Sequence, residues 1–305
     1  MATGSCPGNT PPRAAHAIEQ LTFNRDDHLL FISDLHLEAS RPDITKTFLH
    51  LISVVTAHQA HHLIAPEKPA PFSITALFIL GDFFEVWIGD DYQTELSQTV
   101  AVALSALAEQ GVSLYFLPGN RDFLLGDEYC AQANMIRLND PTLLTITDSN
   151  GPSTRYALMH GDSLCTLDHA YMAFRRMVRA HDWQTSFLSQ PIQARLNLAR
   201  SIRDKSMAQK KQQTKHSNEG THVPNNPIMD VDPKSVHEQF AQLSVETIIH
   251  GHTHRPAIHH NLGCKHNPMW QRAVLGDWDQ QGWSLLLHDN QLLLHAFPLI
   301  DTQKS

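Results

Sequence analysis

Five short apolar runs lead directly into polar residues able to hold a metal or a phosphate. Leu29-Leu-Phe-Ile-Ser33 runs into Asp34-Leu-His36, and Leu77-Phe-Ile-Leu80 into Gly81-Asp82. Val112 to Leu117 runs into Pro118-Gly-Asn-Arg-Asp122, Tyr156 to Met159 into His160-Gly-Asp162, and Thr247 to Ile249 into His250-Gly-His-Thr-His254. Such short, mostly apolar runs predict strands buried on both faces, as in a largely parallel sheet. Between them, Thr45 to His58 (with Phe48, Leu49, Ile52 and Val55) and Glu95 to Glu109 repeat at helical spacing. The pattern predicts an α/β fold, a doubly wound sheet whose strands deliver their polar residues to one carboxyl edge, where such sheets bind ligands. Ala65 to Ser73, rich in proline, reads as a loop.

The spacing within the polar segments carries the chemistry. Residues i and i+2 of an extended chain point the same way, so Asp34 and His36 are expected to converge, as are His252 and His254. With Asp82, Asn120 and His160 they make seven candidate ligands. Carboxylate, amide oxygen and imidazole together suit Mn²⁺, Fe²⁺ or Zn²⁺. Seven ligands exceed what one ion takes but serve two, provided one carboxylate bridges. Two ions ~3.5–4 Å apart clamp a phosphoryl group and activate water near neutral pH. Arg121 adds a guanidinium fork matched to phosphate. His250, the odd member of its segment, reads as a buried or loop histidine.

Composition adds three constraints. The 21 histidines exceed what a ligand set needs, and most, such as His58 and His61, read as surface residues. Four cysteines without a C-x-x-C pair argue for free thiols in a reducing compartment. No apolar run approaches the ~18 residues of a membrane span, and residues 1–26 lack the apolar core of a secretory signal; they read as a disordered leader before a single domain spanning 27–300. The net charge of −8 conceals a stretch, Tyr171 to Lys215, in which ten basic residues face two acids. So polarised a segment expects an anionic partner.

Asp34-Leu-His36, Gly81-Asp82, Gly119-Asn-Arg-Asp122, His160 and Gly251-His-Thr-His254 resemble, in order, the motif blocks of the calcineurin-like metallophosphoesterases. Longer blocks resemble one branch, the UDP-2,3-diacylglucosamine hydrolases of lipid A synthesis: Ile79 to Asp91, Gly119 to Gly126, His160 to Cys165, Ile228 to Val231, His250 to Pro256 and Val274 to Trp278. The resemblance implies a four-layer αββα sandwich with a helical cap inserted at about 168–228. It implies hydrolysis of a nucleotide-linked lipid at the α-phosphorus, with two Mn²⁺ ions. One ion would take Asp34, His36, Asp82 and His254, the other Asp82, Asn120, His160 and His252, with Asp82 bridging. Asp82, Asn120, Arg121 and His160 would carry catalysis. Asn120, Arg121, Asp168, Ser206, Lys210, Gln213 and His252 would bind substrate, although Lys210 and Gln213 stand where the branch usually has Asn and Lys. Glu85 and Trp87 would belong to the wall of the site, and Cys165 would be a bystander.

The apolar residues of 168–228, among them Phe174, Trp183, Phe187 and Ile192, are expected to form an acyl-chain pocket. Its basic rim would meet the nucleotide diphosphate and the anionic cytoplasmic face of the inner membrane. No nucleic acid and no obligate protein partner is expected. The alternatives are a related dinuclear phosphoesterase acting on nucleotides or phosphoproteins, and a metal-free scaffold on the same fold.

Overall fold

A computed structural model describes residues 18–67, 72–148, 151–217, 230–262 and 270–301, with side chains up to 204 in the third stretch. Along the chain these form β1 (Gln20–Asn24), β2 (Leu29–Ile32), α1 (Pro42–Thr56), α2 (His61–Ile64), β3 (Ala76–Ile79), α3 (Glu95–Glu109), β4 (Ser113–Phe116), α4 (Asp127–Gln132), β5 (Met135–Arg137), β6 (Thr142–Thr147) and β7 (Thr154–Leu158). There follow α5 (His169–Val178), α6 (His181–Leu188), α7 (Ile192–Ser217), α8 (Pro233–Leu243), β8 (Thr247–His250), β9 (Ala257–His259), β10 (Gln271–Val274), β11 (Gln281–His288) and β12 (Gln291–Pro298).

The strands make two six-stranded sheets, as the αββα sandwich implied by the resemblance requires and unlike the one doubly wound sheet that the apolar pattern alone predicts, ordered β1-β6-β7-β8-β10-β9 and β12-β11-β2-β3-β4-β5. Alternation along β2 shows why its run is wholly apolar. Leu29 and Phe31 pack between the sheets with Phe78, Tyr156, Leu158 and Ile249. Leu30 and Ile32 face the other way, against Phe48, Leu51 and Ile52 of α1 and Val100 and Leu104 of α3. Beyond the sheet that holds β7 and β8, Ala157 and Ile248 pack on Val236, Phe240 and Leu243 of α8. Helix, sheet, sheet, helix is a four-layer αββα sandwich. Apolar content alone does not distinguish one doubly wound sheet from two sheets face to face, because both bury each strand twice.

Part of the expected leader, residues 1–26, is a strand of the fold. Gln20–Asn24 pairs in parallel with β6, with Leu21 and Phe23 packed between the sheets while Gln20, Thr22 and Asn24 face out. That period of two is a strand signal obscured by its shortness. Residues 1–17 lie outside the described residues. The α5, α6 and α7 helices occupy the interval between β7 and β8 where the cap is expected. Among the described residues no helix is long and apolar enough to cross a membrane.

Candidate metal centre

Strands β2, β3 and β4 of one sheet and β7 and β8 of the other end at a common edge, so the five polar segments meet across the sandwich. The backbone that presents them is not the extended one anticipated. Asp34, His36, Asp82, His252 and His254 all have φ between +50° and +66°. Among the described residues they are five of eleven non-glycine positions with positive φ, a region that costs roughly 1–3 kcal/mol each and clusters where function over-determines the backbone. Tight left-handed turns, rather than pleat alternation, therefore aim each pair inward. The turns brace one another: the Asp34 amide donates to Gly81 O (3.1 Å) and the His36 amide to Asp82 O (2.9 Å). Gly119 is required by close approach, since a Cβ there would strike the backbone nitrogen and carboxylate of Asp82.

All seven expected ligands come together. Asp82 lies between two groups, its Oδ2 3.8 Å from His36 Nε2 and its Oδ1 3.6 Å from His160 Nε2. Asp34 Oδ1 is 3.3 Å from His254 Nε2, and its carboxylate accepts the His252 amide at 2.9 Å. Asn120 Oδ1 is 2.9 Å from both His160 Nε2 and His252 Nδ1. Two triads, Asp34/His36/His254 and Asp34/Asp82/His160, each gather their donor atoms within 4.8 Å of one another. Asp34 thus shares with Asp82 a position between the groups.

The donor chemistry fits divalent cations. His160 Nδ1 is 2.9 Å from Leu80 O, so the neutral ring donates there and turns the Nε2 lone pair toward the Asn120 oxygen. Two facing acceptors require a cation or a proton between them. Burial lowers the pKa of His160, but Asp82, Asp34 and Asp162 outweigh it and lift it to about 9. Burial likewise lowers His254, but Asp277 and Asp34 outweigh it and lift it to about 10. Burial would raise Asp34, yet His254, His160 and His36 hold it well below the carboxylate range. His252 is lowered to about 4 by burial and by His160. The pocket's field favours positive charge at its centre, the condition a divalent ion meets.

Three carboxylates that sequence reading left without roles hold this set. Asp277 Oδ2 sits 3.3 Å from His254 Nδ1, the orienting partner ligand histidines commonly have. Asp122, fully buried, accepts from the amides of Phe83 (2.7 Å), Gly119 (2.8 Å), Asp82 (3.3 Å) and Phe84 (3.3 Å), tying the β3 and β4 ends together. Burial and the Asp82 charge push its pKa up to about 6. Asp162 accepts from Tyr171 Oη at 2.6 Å and Arg175 Nε at 2.8 Å, while the Tyr171 ring stacks on His252 with centroids 6.0 Å apart. Asp122→Asn is expected to cost about 2 kcal/mol, because one amide group cannot accept from all four donors. Thermal unfolding should show a Tm lower by several degrees, and an unchanged Tm would refute the clamp.

The basic stretch is spent differently from expectation. Of its six cations whose side chains are described, four pair internally: Arg175 with Asp162, Arg179 with Gly119 O (2.8 Å), Arg195 with Asp91 and Ile88 O, and Arg203 with Glu38 and Glu85 at 3.3 Å. They fasten α5 and α7 to the sandwich, while Arg176 and Arg200 are exposed. Trp87 is not site wall: it is buried against Phe84 and Tyr129 and donates to Asp90 at 2.9 Å. Glu85 does stand at the site, 2.9 Å from His36 Nδ1 and 3.7 Å from Arg121 Nη1. Asp168 Oδ1 caps α5 by accepting from the Tyr171 amide at 2.9 Å. His250 is buried, and burial and Arg272 push its pKa down to about 3. Cys165 is a buried thiol raised to about 12 by burial. The side chains of Ser206, Lys210 and Gln213 lie outside the described residues, as do Cys6 and Cys264.

Comparison with known proteins agrees with this geometry. Residues 28–256 match the calcineurin-like phosphoesterase family. A UDP-2,3-diacylglucosamine hydrolase of Marinobacter nauticus is 42% identical over 89% of this chain and 98% of its own length. Proteins so named from Stutzerimonas stutzeri (42%, over 86% of this chain and 95% of that one) and Ectopseudomonas mendocina (43%, over 84% and 93%) are similarly close.

Proposed function

As the chain belongs to the calcineurin-like phosphoesterases, and within them to the UDP-2,3-diacylglucosamine hydrolases, we propose that it cleaves the pyrophosphate bond of UDP-2,3-diacylglucosamine. The products are UMP and 2,3-diacylglucosamine 1-phosphate, a step of lipid A biosynthesis. The observation that carries this reading is the seven-donor set centred on Asp82, whose two oxygens face His36 and His160. Asp34, His36, Asp82 and His254 would hold one ion, and Asp82, Asn120, His160 and His252 the other, both Mn²⁺. When bound, such ions supply Lewis acidity at the phosphoryl oxygens and lower the pKa of water.

The chain's own residues do the rest. Asp82, held by the Arg121 amide at 2.8 Å, keeps the two donor groups in register. Leu80 O and Asp277 keep His160 and His254 turned inward. The Arg121 guanidinium offsets charge building on the phosphoryl oxygens, a preorganised electrostatic role. Water attacks the α-phosphorus, and the bond to the bridging oxygen breaks. The sugar 1-phosphate departs with that electron pair, so no side-chain nucleophile is needed. Asp168, Ser206, Lys210, Gln213, Asn120 and His252 would contact the substrate.

The helices between β7 and β8 serve as the cap. Leu167, Met177, Leu188, Ile192 and Leu198 of this region are exposed, as are Arg176 and Arg200. Apolar side chains among cations suit acyl chains and an anionic surface, which supports peripheral attachment to the cytoplasmic face of the inner membrane. Turnover in H₂¹⁸O tests the reaction: the label should enter UMP and not the sugar phosphate. The diacyl substrate should exceed UDP-N-acetylglucosamine in kcat/KM by about 100-fold, because remote binding energy is spent at the reacting centre. Label in the sugar phosphate, or equal turnover of the two, would refute the reading.

A further inference from the structure

One carboxylate joins the metal-binding half of this pocket to the phosphate-facing half. Glu85 Oε2 lies 2.9 Å from Nδ1 of His36, on the ring edge opposite the Nε2 that faces Asp82. Its other oxygen, Oε1, lies 3.3 Å from Arg203 Nε and 3.7 Å from Arg121 Nη1. The side chain is 12% exposed and its backbone is fixed, because the Glu85 amide donates to Leu37 O at 3.2 Å, beside His36 itself. Three cation-capable groups from three segments therefore converge on a carboxylate whose position is set by the loop carrying His36.

We propose that Glu85 is a positioning residue that orients His36 for metal binding through one oxygen and sets Arg121 and helix α7 through the other. The inference rests on the two-ion reading of the pocket. A carboxylate on Nδ1 keeps the proton there and leaves Nε2 as the ligand, a contact whose loss typically costs 10–100-fold in metal affinity. The Oε1 arm reaches further. Arg203 is also held by Glu38 at 3.3 Å, so α7 is pinned at this point of its length. Ser206, Lys210 and Gln213 follow Arg203 along α7 at intervals of three, four and three, the repeat of one helix face. Glu85 thus sets the register of the expected substrate contacts against the metals.

Two variants separate the arms. Manganese binding to metal-stripped protein, followed by the electron paramagnetic resonance of free Mn²⁺, should weaken 10–100-fold in Glu85→Ala. Glu85→Gln keeps an oxygen for Nδ1–H, so its affinity should stay within about threefold of wild type. Glu85→Gln should nevertheless lower kcat/KM about tenfold, and by less than about twofold once Arg121→Ala and Arg203→Ala are already present, because groups acting through one another are non-additive. Wild-type manganese affinity in Glu85→Ala, or an equal Glu85→Gln penalty with and without both arginines, overturns the proposal and leaves the two-ion reading standing. Failure of the wild type to bind manganese overturns both.

Discussion

Asp82→Ala is expected to lower kcat by about three orders of magnitude or more while leaving the protein folded. Asp82 is the carboxylate whose two oxygens face opposite donor groups, at 3.8 Å and 3.6 Å. Without it neither group keeps its full set, and the field that draws cations into the pocket weakens on both sides. Loss of a single preorganised donor elsewhere costs ~10²–10³ in kcat, and on the proposed two-ion reading the loss would reach both ions at once. Stability should change far less than activity. Asp82 and the fully buried Asp122 repel, which helps to push Asp122 up to about 6. Removing one of two close carboxylates relieves that repulsion, while the Arg121 amide and His160 lose a partner, so the opposed effects should leave Tm within a few degrees. Steady-state kinetics beside thermal unfolding checks both halves, and a variant within tenfold of wild-type kcat would refute the assignment.

How far the sequence reached depends on the kind of signal each residue leaves. The seven donors were legible because each follows an apolar run, and five such runs in order are hard to produce by packing alone. The geometry behind them was read differently from what the fold uses. Asp34 with His36, and His252 with His254, converge through left-handed turns, which a pattern built on pleat alternation does not register. The apolar pattern alone reads as one sheet, because a strand buried on both faces looks the same in either case; the two sheets follow from the motif blocks, whose resemblance implies the αββα sandwich. Asp122, Asp162 and Asp277 were not recognised as supports, since a carboxylate that holds another side chain has no periodicity of its own. For Asp277 and Glu85 the available signal was chemical: ligand histidines need partners on their second nitrogen.

The basic stretch teaches a similar point. Net charge along the chain predicts a field, but not which cations are already neutralised. Arg175, Arg179, Arg195 and Arg203 are engaged within the protein, so an anionic partner meets a smaller patch than ten residues imply. The same helices are fastened to the centre and carry both apolar and cationic side chains on their exposed side, Met177, Leu188, Ile192 and Leu198 beside Arg176 and Arg200.

Metal removal carries the other large effect. His36, His160 and His254 all have their pKa values raised by the surrounding carboxylates, and burial alone would do the opposite. Such a pocket is poised to exchange protons for divalent ions, and water left without Lewis acidity is a poor nucleophile toward a pyrophosphate. Among the described residues the two cysteines, Cys130 and Cys165, are buried thiols pushed up to about 12 and are not activated to substitute for it. The direct test is to strip the purified protein with EDTA, remove the chelator, and follow UDP-2,3-diacylglucosamine cleavage as Mn²⁺ is titrated back. Activity is expected to vanish on stripping and to return to its full value as binding saturates at two ions per chain; undiminished turnover in excess EDTA would contradict the account.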